Sequence, residues 1–350
     1  MRDLLDIRLG DRALDHLRTH GLAPADVRCL PAAAGGPKGL ALLPLDRLLA
    51  REWLPRTSDI ELIGASIGAW RMASLAQSEP LGALVRLQHA YVREQNYRER
   101  PTPAQVADAC RGLARSVLGE HPAEWREDVA LSVITTRARG SLAGRRSKGA
   151  FGRAAIANTL SRRRLAAHME RVVFHTGAPS RLLPAFDDFG LTQAPLTERN
   201  REDALLASGS IPLICDPVQD IADAPAGDYW DGGLIDYHLL LPYDRYAGLV
   251  LYPHFVPHVT PGWLDKYVPW RARARSHRWL ANVILIAPSK AMLARLPNGK
   301  LPDRSDFYRY GADHAGRIRD WERAIAECER FAEAAMRWLQ APDLAVVKSL

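Results

Sequence analysis

The sequence contains no apolar run of about 18 residues, so a membrane-spanning helix is not expected. Its first ten residues carry Arg2, Asp3, Asp6 and Arg8 where an export signal would be apolar, which points to a cytoplasmic protein. Cysteine is scarce. Cys29, Cys110, Cys215 and Cys328 lie far apart, with no C-x-x-C pair and no histidine at metal-ligand spacing. That pattern excludes a disulfide scaffold and suggests no zinc site, and no metal or other cofactor is expected. Internal repeats are missing as well, which removes solenoids and propellers. Only 6 of the 47 basic residues are lysine, a bias that says little about function.

What is present is an ordinary globular composition, 47% hydrophobic and 25% charged, in a chain of 350 residues. Such a chain buries a sizeable core, either as two domains or as one large α/β domain with a cap. The net charge of +7 is local. Arg137 to Arg164 holds nine Lys or Arg and no acid, which is more than the whole net charge.

Short apolar runs alternate with amphipathic stretches. Val27 to Pro31 reads as a strand, followed by a small-residue loop (Ala32 to Gly39) and a helix (Leu40 to Trp53). Ile60 to Gly64 reads as a second strand, entering a Gly/Ser turn and a helix over Ala69 to Gln77. Further strands are expected at Ala130 to Thr135, Arg171 to His175, Ala247 to Tyr252 and Asn282 to Ile286. Strand, glycine turn and helix in repetition indicate an α/β fold with a mainly parallel central sheet flanked by helices. Ile318, Trp321, Ile325, Cys328, Phe331, Ala335 and Leu339 fall on one face of a long C-terminal helix and read as its docking face. The tail after Pro342 is expected to be loosely held. Arg139 to Gly152 is Gly/Ser-rich and basic, which reads as an exposed loop and a candidate mobile lid.

Three segments carry chemistry. Gly64-Ala65-Ser66-Ile67-Gly68 is a G-x-S-x-G between a strand and a helix, the context that exposes a serine hydroxyl on a sharp turn. The plainer alternative is a tight turn of any α/β protein. Ala34-Gly35-Gly36-Pro37-Lys38-Gly39 also joins a strand to a helix, and bare amides at Gly35 and Gly36 suit a tetrahedral oxyanion. A phosphate-binding loop is the rival, but Gly39 stands where Ser or Thr would meet magnesium. Asp231-Gly232-Gly233 would be an ordinary turn on its own, yet a serine nucleophile needs a base, and Asp231 can supply one.

In this order the segments resemble the patatin-like phospholipases and acyl hydrolases. Members carry a G-G-G-x-[KR]-G oxyanion loop, a G-x-S-x-G elbow and an Asp-Gly-Gly or Asp-Gly-Ala. Ala207-Ser208-Gly209-Ser210-Ile211-Pro212 also looks like the family's A-S-x-[AS]-x-P segment. The resemblance covers roughly Val27 to Leu240. Ala34 departs from it, standing where the first loop glycine would be, so the oxyanion hole is assigned to Gly35 and Gly36.

The resemblance implies a patatin-like three-layer sandwich: a catalytic core over residues 1–245, with residues 246–350 continuing or capping the same domain. It implies a serine-dependent lipid acyl hydrolase of phospholipase A or lysophospholipase type, in which Asp231 deprotonates Ser66 and an acyl-enzyme forms. Lys38 orients the oxyanion loop or sits in a structural ion pair. Two alternatives stand beside this reading. One is a Ser-His-Asp α/β-hydrolase using Ser66, Asp231 and a later histidine such as His238, His254 or His258. The other is a catalytically weak lipid-binding or scaffold protein on the same fold.

Trp263 to Trp279 holds three of the nine tryptophans together with Lys266, Arg271, Arg273, Arg275 and Arg278. With residues 137–164 it suggests peripheral association with anionic membrane, the plain alternative being a solvated helix face. Aromatic and basic residues also suit single-stranded nucleic acid. Beside a lipolytic site the membrane version is preferred, and no nucleic-acid partner is expected.

Overall fold

The computed structural model describes residues 2–97, 100–119, 124–144, 147–184, 186–271 and 278–350. Arg145, Arg146, Arg273 and Arg275, counted above among the basic residues, lie outside the described residues. The strands are β1 (Leu5–Leu9), β2 (Val27–Ala32), β3 (Ile60–Ala65), β4 (Val129–Ala138), β5 (Met169–His175), β6 (Gly190–Pro195), β7 (Val218–Gln219), β8 (Asp228–Asp231), β9 (Leu249–Pro253), β10 (Val283–Pro288) and β11 (Lys348–Ser349). They form a sheet in the order β11-β1-β10-β9-β2-β3-β4-β5-β6, with β8 on β4 and β7 on β8. From β10 to β4 every pairing is parallel, while β1–β10, β4–β5 and β4–β8 are antiparallel.

The fold is therefore mixed α/β with a mostly parallel central sheet flanked by helices. These are α1 (Asp11–His20), α2 (Leu43–Leu48), α3 (Ile67–Leu75), α4 (Pro80–Arg93), α5 (Pro103–Leu118), α6 (Lys148–Leu160), α7 (Arg162–Ala166), α8 (Arg201–Gly209), α9 (Lys290–Ala294), α10 (Ser305–Tyr310) and α11 (His314–Gln340). β3 is buried along its whole length, as a central parallel strand covered on both faces must be. α11 buries Trp321, Ile325, Cys328, Phe331, Ala335 and Leu339, the expected stripe, and packs on α2. No described helix is long and apolar enough to cross a membrane.

Two local expectations change. Residues 148–152 are not loop: Ser147 caps α6 through its hydroxyl, and Ala150 is fully buried. The tail is tied down, because β11 pairs with β1, the Leu350 amide reaches the Leu9 carbonyl, and Trp338 bonds the Asp343 carbonyl. Some described cations of the two basic segments have acidic partners. Arg137 and Arg139 both meet Glu170, and Arg162 and Arg271 both meet the fully buried Asp265 at 2.5 and 3.1 Å. Asp265 also accepts from Asn158 of α6, so these two segments are fastened to each other.

Candidate active site

Sheet register assembles the site. β2 and β3 run parallel with Ala32 opposite Gly64, so the loop after β2 and the turn after β3 emerge side by side at the carboxyl edge. On the other flank, Ala65 is opposite Ile134 of β4, and Thr135 is opposite Asp231 of β8. Ser66 and Asp231 thus reach one point from residues 165 positions apart in the chain.

Ser66 turns from strand to helix at φ 57°, ψ −132°, left-handed backbone that a residue with a Cβ adopts only under strain. The flanking glycines are dictated by space. A Cβ on Gly64 would lie 2.5 Å from the Gly68 backbone, and one on Gly68 would lie 2.0 Å from the Ala32 carbonyl oxygen. The Ser66 amide donates to Ser208 Oγ at 2.9 Å, and Ser208 Oγ donates to the Ile134 carbonyl at 2.7 Å. α8 supports the elbow further through its Leu205 carbonyl, which accepts from Trp70 Nε1. Beneath α3, Arg71 and Asp46 form a buried bidentate pair at 2.6 and 2.7 Å.

Asp231 is 6% exposed and lies beside the Ser66 hydroxyl, which acts on its carboxyl electrostatically. Its Oδ1 accepts the Gly233 amide at 2.7 Å, and its own amide bonds the Ser210 carbonyl. Burial pushes the carboxyl above its ordinary value, opposed by the Ser66 hydroxyl and then by the Arg304 charge. A carboxylate held this way is a stronger base than one in water. Arg171 steadies the following turn by pairing with Asp236 at 2.6 Å and Asp187 at 2.9 Å.

The loop after β2 shows why Ala34 fits where a glycine was expected. The Ala34 amide is already used, donating to the Tyr237 carbonyl at 2.9 Å. Gly36 takes φ +56°, which favours glycine, and a Cβ on Gly35 would lie 2.6 Å from the Phe255 ring. Gly35 lines a cleft of about 20 Å³ with Asp231 and Tyr237, and Gly36 lines the larger cavity with Ser66. Lys38 lines neither. Its Nζ sits 5.6 Å from the Phe255 ring, and it makes no ion pair with a described residue.

The larger cavity, about 610 Å³, opens from Ser66 and is walled by apolar groups including Trp70, Tyr91, Val106, Ile211 and Phe307. Leu213, Ile214 and Tyr308 stand exposed at its rim. Arg304 borders both cavities, and its Nε lies 3.2 Å from where a Gly36 Cβ would be. Sequence reasoning missed Arg304, since no motif surrounds it. It also treated Lys266 as part of a surface stretch, whereas Lys266 Nζ lies 4.3 Å from the Tyr237 ring and 5.3 Å from the Trp263 ring.

The three histidines cluster elsewhere. His238 and His254 are buried with ring centroids 4.4 Å apart, and His238 lies 6.1 Å from His258. Their Nδ1 atoms accept the Thr260 and Val256 amides. Burial lowers both, His254 to about 3, so they stay neutral. None borders the cavities at Ser66 and Asp231.

No family model matches the chain, and no curated protein matches it. Among solved structures it is similar to VipD from Legionella pneumophila, at 14% identity and a TM-score of 0.27, over 72% of this chain and 53% of that one. The chain thus spans about half the length of that protein.

Proposed function

We propose that this protein is a serine-dependent acyl hydrolase of the patatin-like type, acting on esters with an apolar acyl chain. The observation that carries the proposal is Ser66, held on a strained strand-to-helix turn at the end of a 610 Å³ largely apolar cavity and beside the buried Asp231 carboxyl. That volume falls in the range of small-molecule sites, roughly 300–1,000 Å³.

In this reading the acyl chain lies along Trp70, Val106 and Phe307, with the ester carbonyl beside Ser66. Asp231 accepts the Ser66 proton as Oγ attacks, and the Gly35 and Gly36 amides hold the developing oxyanion. Collapse of the intermediate expels the alcohol with a proton returned from Asp231. Water, deprotonated by the same carboxylate, then releases the acid and regenerates Ser66. No cofactor enters these steps.

The test is a p-nitrophenyl ester series of increasing chain length. The ratio kcat/KM should rise by up to about fourfold per methylene until the cavity is filled. Ser66→Ala and Asp231→Asn should each lose roughly 10⁴-fold or more. Flat chain-length dependence, or turnover surviving in Ser66→Ala, contradicts the proposal.

A further inference from the structure

α6 turns its small residues inward and its large aliphatic ones outward. The buried stripe is Ala150, Ala154 and Asn158, spaced four apart, while Ile156 and Leu160, also four apart, face solvent. A helix packed on a core in water does the reverse, and here only Phe151 goes inward, edge-on to Trp230. The segment after Gly262 repeats the pattern, with Tyr267 and Trp270 outside on either side of the buried Val268. These four side chains are between 63% and 74% exposed. Of the eight large hydrophobic residues exposed among the described residues, they and the cavity-rim Leu213, Ile214 and Tyr308 make seven. Exposed apolar groups are thus concentrated rather than scattered, which marks a surface that something covers.

The two segments are fastened into one face. Asp265 accepts from Asn158 Nδ2 at 2.9 Å and pairs with Arg162 and Arg271. Arg271 Nη2 also donates to the Asn158 and Thr159 carbonyls, so the chain at Trp270 and Arg271 is held against the last turn of α6, where Leu160 stands. The face is basic. Lys148, Arg153 and Arg164 are exposed on α6 and α7 and make no ion pair with a described residue. Arg163, also exposed, lies 3.8 Å from Asp188. Residues 139–164 contain no acid, and the single acid of residues 263–271 is the buried Asp265, so neither segment adds exposed negative charge.

Large apolar side chains beside unpaired cations fit the headgroup region of a negatively charged lipid layer, which takes up the former and attracts the latter. A second copy of the chain fits poorly, because two such basic faces repel each other. Single-stranded nucleic acid would use the cations and the two rings but leaves Ile156 and Leu160 without a role, since aliphatic groups offer no stacking platform. We infer that the face formed by α6, α7 and residues 263–271 docks this protein on an anionic lipid surface, with Ile156, Leu160, Tyr267 and Trp270 inserted and Lys148, Arg153 and Arg164 at the headgroups. None of these seven residues lines either cavity, so the docking is separate from the chemistry at Ser66 and does not depend on the acyl-hydrolase reading. Trp263 of the same segment does wall the small cleft beside Asp231, which places the docked face next to the site.

The test is co-sedimentation of the intact Ser66→Ala protein, chosen so that no lipid is consumed, with vesicles of phosphatidylcholine alone or mixed with phosphatidylglycerol at about 30%. The mixed vesicles should bind about tenfold more tightly or better at low salt, and the difference should close at high salt. Ile156→Ser combined with Leu160→Ser should weaken binding to the mixed vesicles by about tenfold or more. Arg153→Gln combined with Arg164→Gln should weaken it by a similar factor while leaving binding to neutral vesicles unchanged. All four positions are exposed, so both double variants should melt with the parent protein. A second reading needs no loss of binding: lipid brominated in its acyl chains should quench tryptophan emission of the parent, and quench Trp270→Phe less. Equal binding to the two kinds of vesicle, binding unchanged in both double variants, or quenching unchanged in Trp270→Phe would overturn the inference. Vesicles left unbound would overturn it too; an oligouridylate held through the same residues would then assign the face to nucleic acid, and self-association lost in the Ile156→Ser, Leu160→Ser variant would assign it to a second copy.

Discussion

The strain at Ser66 gives a stability difference that does not depend on any substrate. At φ 57°, ψ −132°, a side chain crowds its own backbone, and such a conformation costs of order 1–3 kcal/mol in a residue other than glycine. Replacing Ser66 by Ala removes the hydroxyl but keeps the Cβ and its strain. Replacing it by Gly removes the hydroxyl and relieves the strain. The Ala and Gly variants have lost the same hydroxyl beside Asp231, so their difference isolates the backbone. Against the relief stands the larger conformational freedom of glycine in the unfolded chain, roughly 0.4–1 kcal/mol. Ser66→Gly should therefore exceed Ser66→Ala by about 0.5–2 kcal/mol. At about 2.1 cal/mol/K per residue over 350 residues, each kcal/mol moves Tm by roughly 1.4 °C, so the gap should be about 1–3 °C. Differential scanning calorimetry of the two variants measures it, with urea midpoints as a second reading. A Ser66→Gly protein no more stable than Ser66→Ala would refute the strained elbow.

Other outcomes follow from the same geometry. Asp231 is raised by burial, so the acid limb of kcat/KM should lie above the ordinary aspartate value of 3.8. For the same reason the ionised carboxylate costs stability at neutral pH. Asp231→Asn should melt higher than wild type there, with the advantage shrinking as pH falls through the folded pKa towards 3.8. Thermal melts across that window check the sign. Ser208→Ala leaves the Ser66 amide and the Ile134 carbonyl without their buried partner and should cost about 1–3 kcal/mol by urea denaturation, with kcat lowered. Gly152 is an exposed position within α6 with open space around its Cα, so Gly152→Ala should stabilise by roughly 0.5–1 kcal/mol; no gain would argue against the helix there.

How much of this was legible depended on whether a feature was local. β2, β3, β4, β5, β9 and β10 are apolar runs bounded by turn residues, and each was expected within a few positions. β1 was missed because Asp6 and Arg8 break its apolar character, and it pairs antiparallel with β10 near the far end of the chain. β11 joins the sheet through backbone bonds while Lys348 and Ser349 stay exposed, so no side-chain pattern announces it. Ser66, Asp231, Gly35 and Gly36 lie in motifs, because a sharp turn and close backbone approach demand particular residues at fixed spacing. Arg304 and Lys266 carry no such demand, since a long cation reaches a site from many backbone positions. The basic run at 137–164 was visible as charge, but its acidic partners, Glu170 and Asp265, lie in other segments. Sequence shows where charge is concentrated, and only the fold shows where it is left unpaired.

The central claim is that Ser66 is a nucleophile activated by Asp231. Its most direct test is labelling of the folded protein with a fluorophosphonate, followed by intact mass and peptide mapping. The account predicts one adduct, on Ser66, lost in Ser66→Ala, strongly slowed in Asp231→Asn, and unaffected by replacing His238, His254 or His258 in variants that still fold. No adduct on the folded wild type, or an adduct whose formation requires one of those histidines, would contradict it.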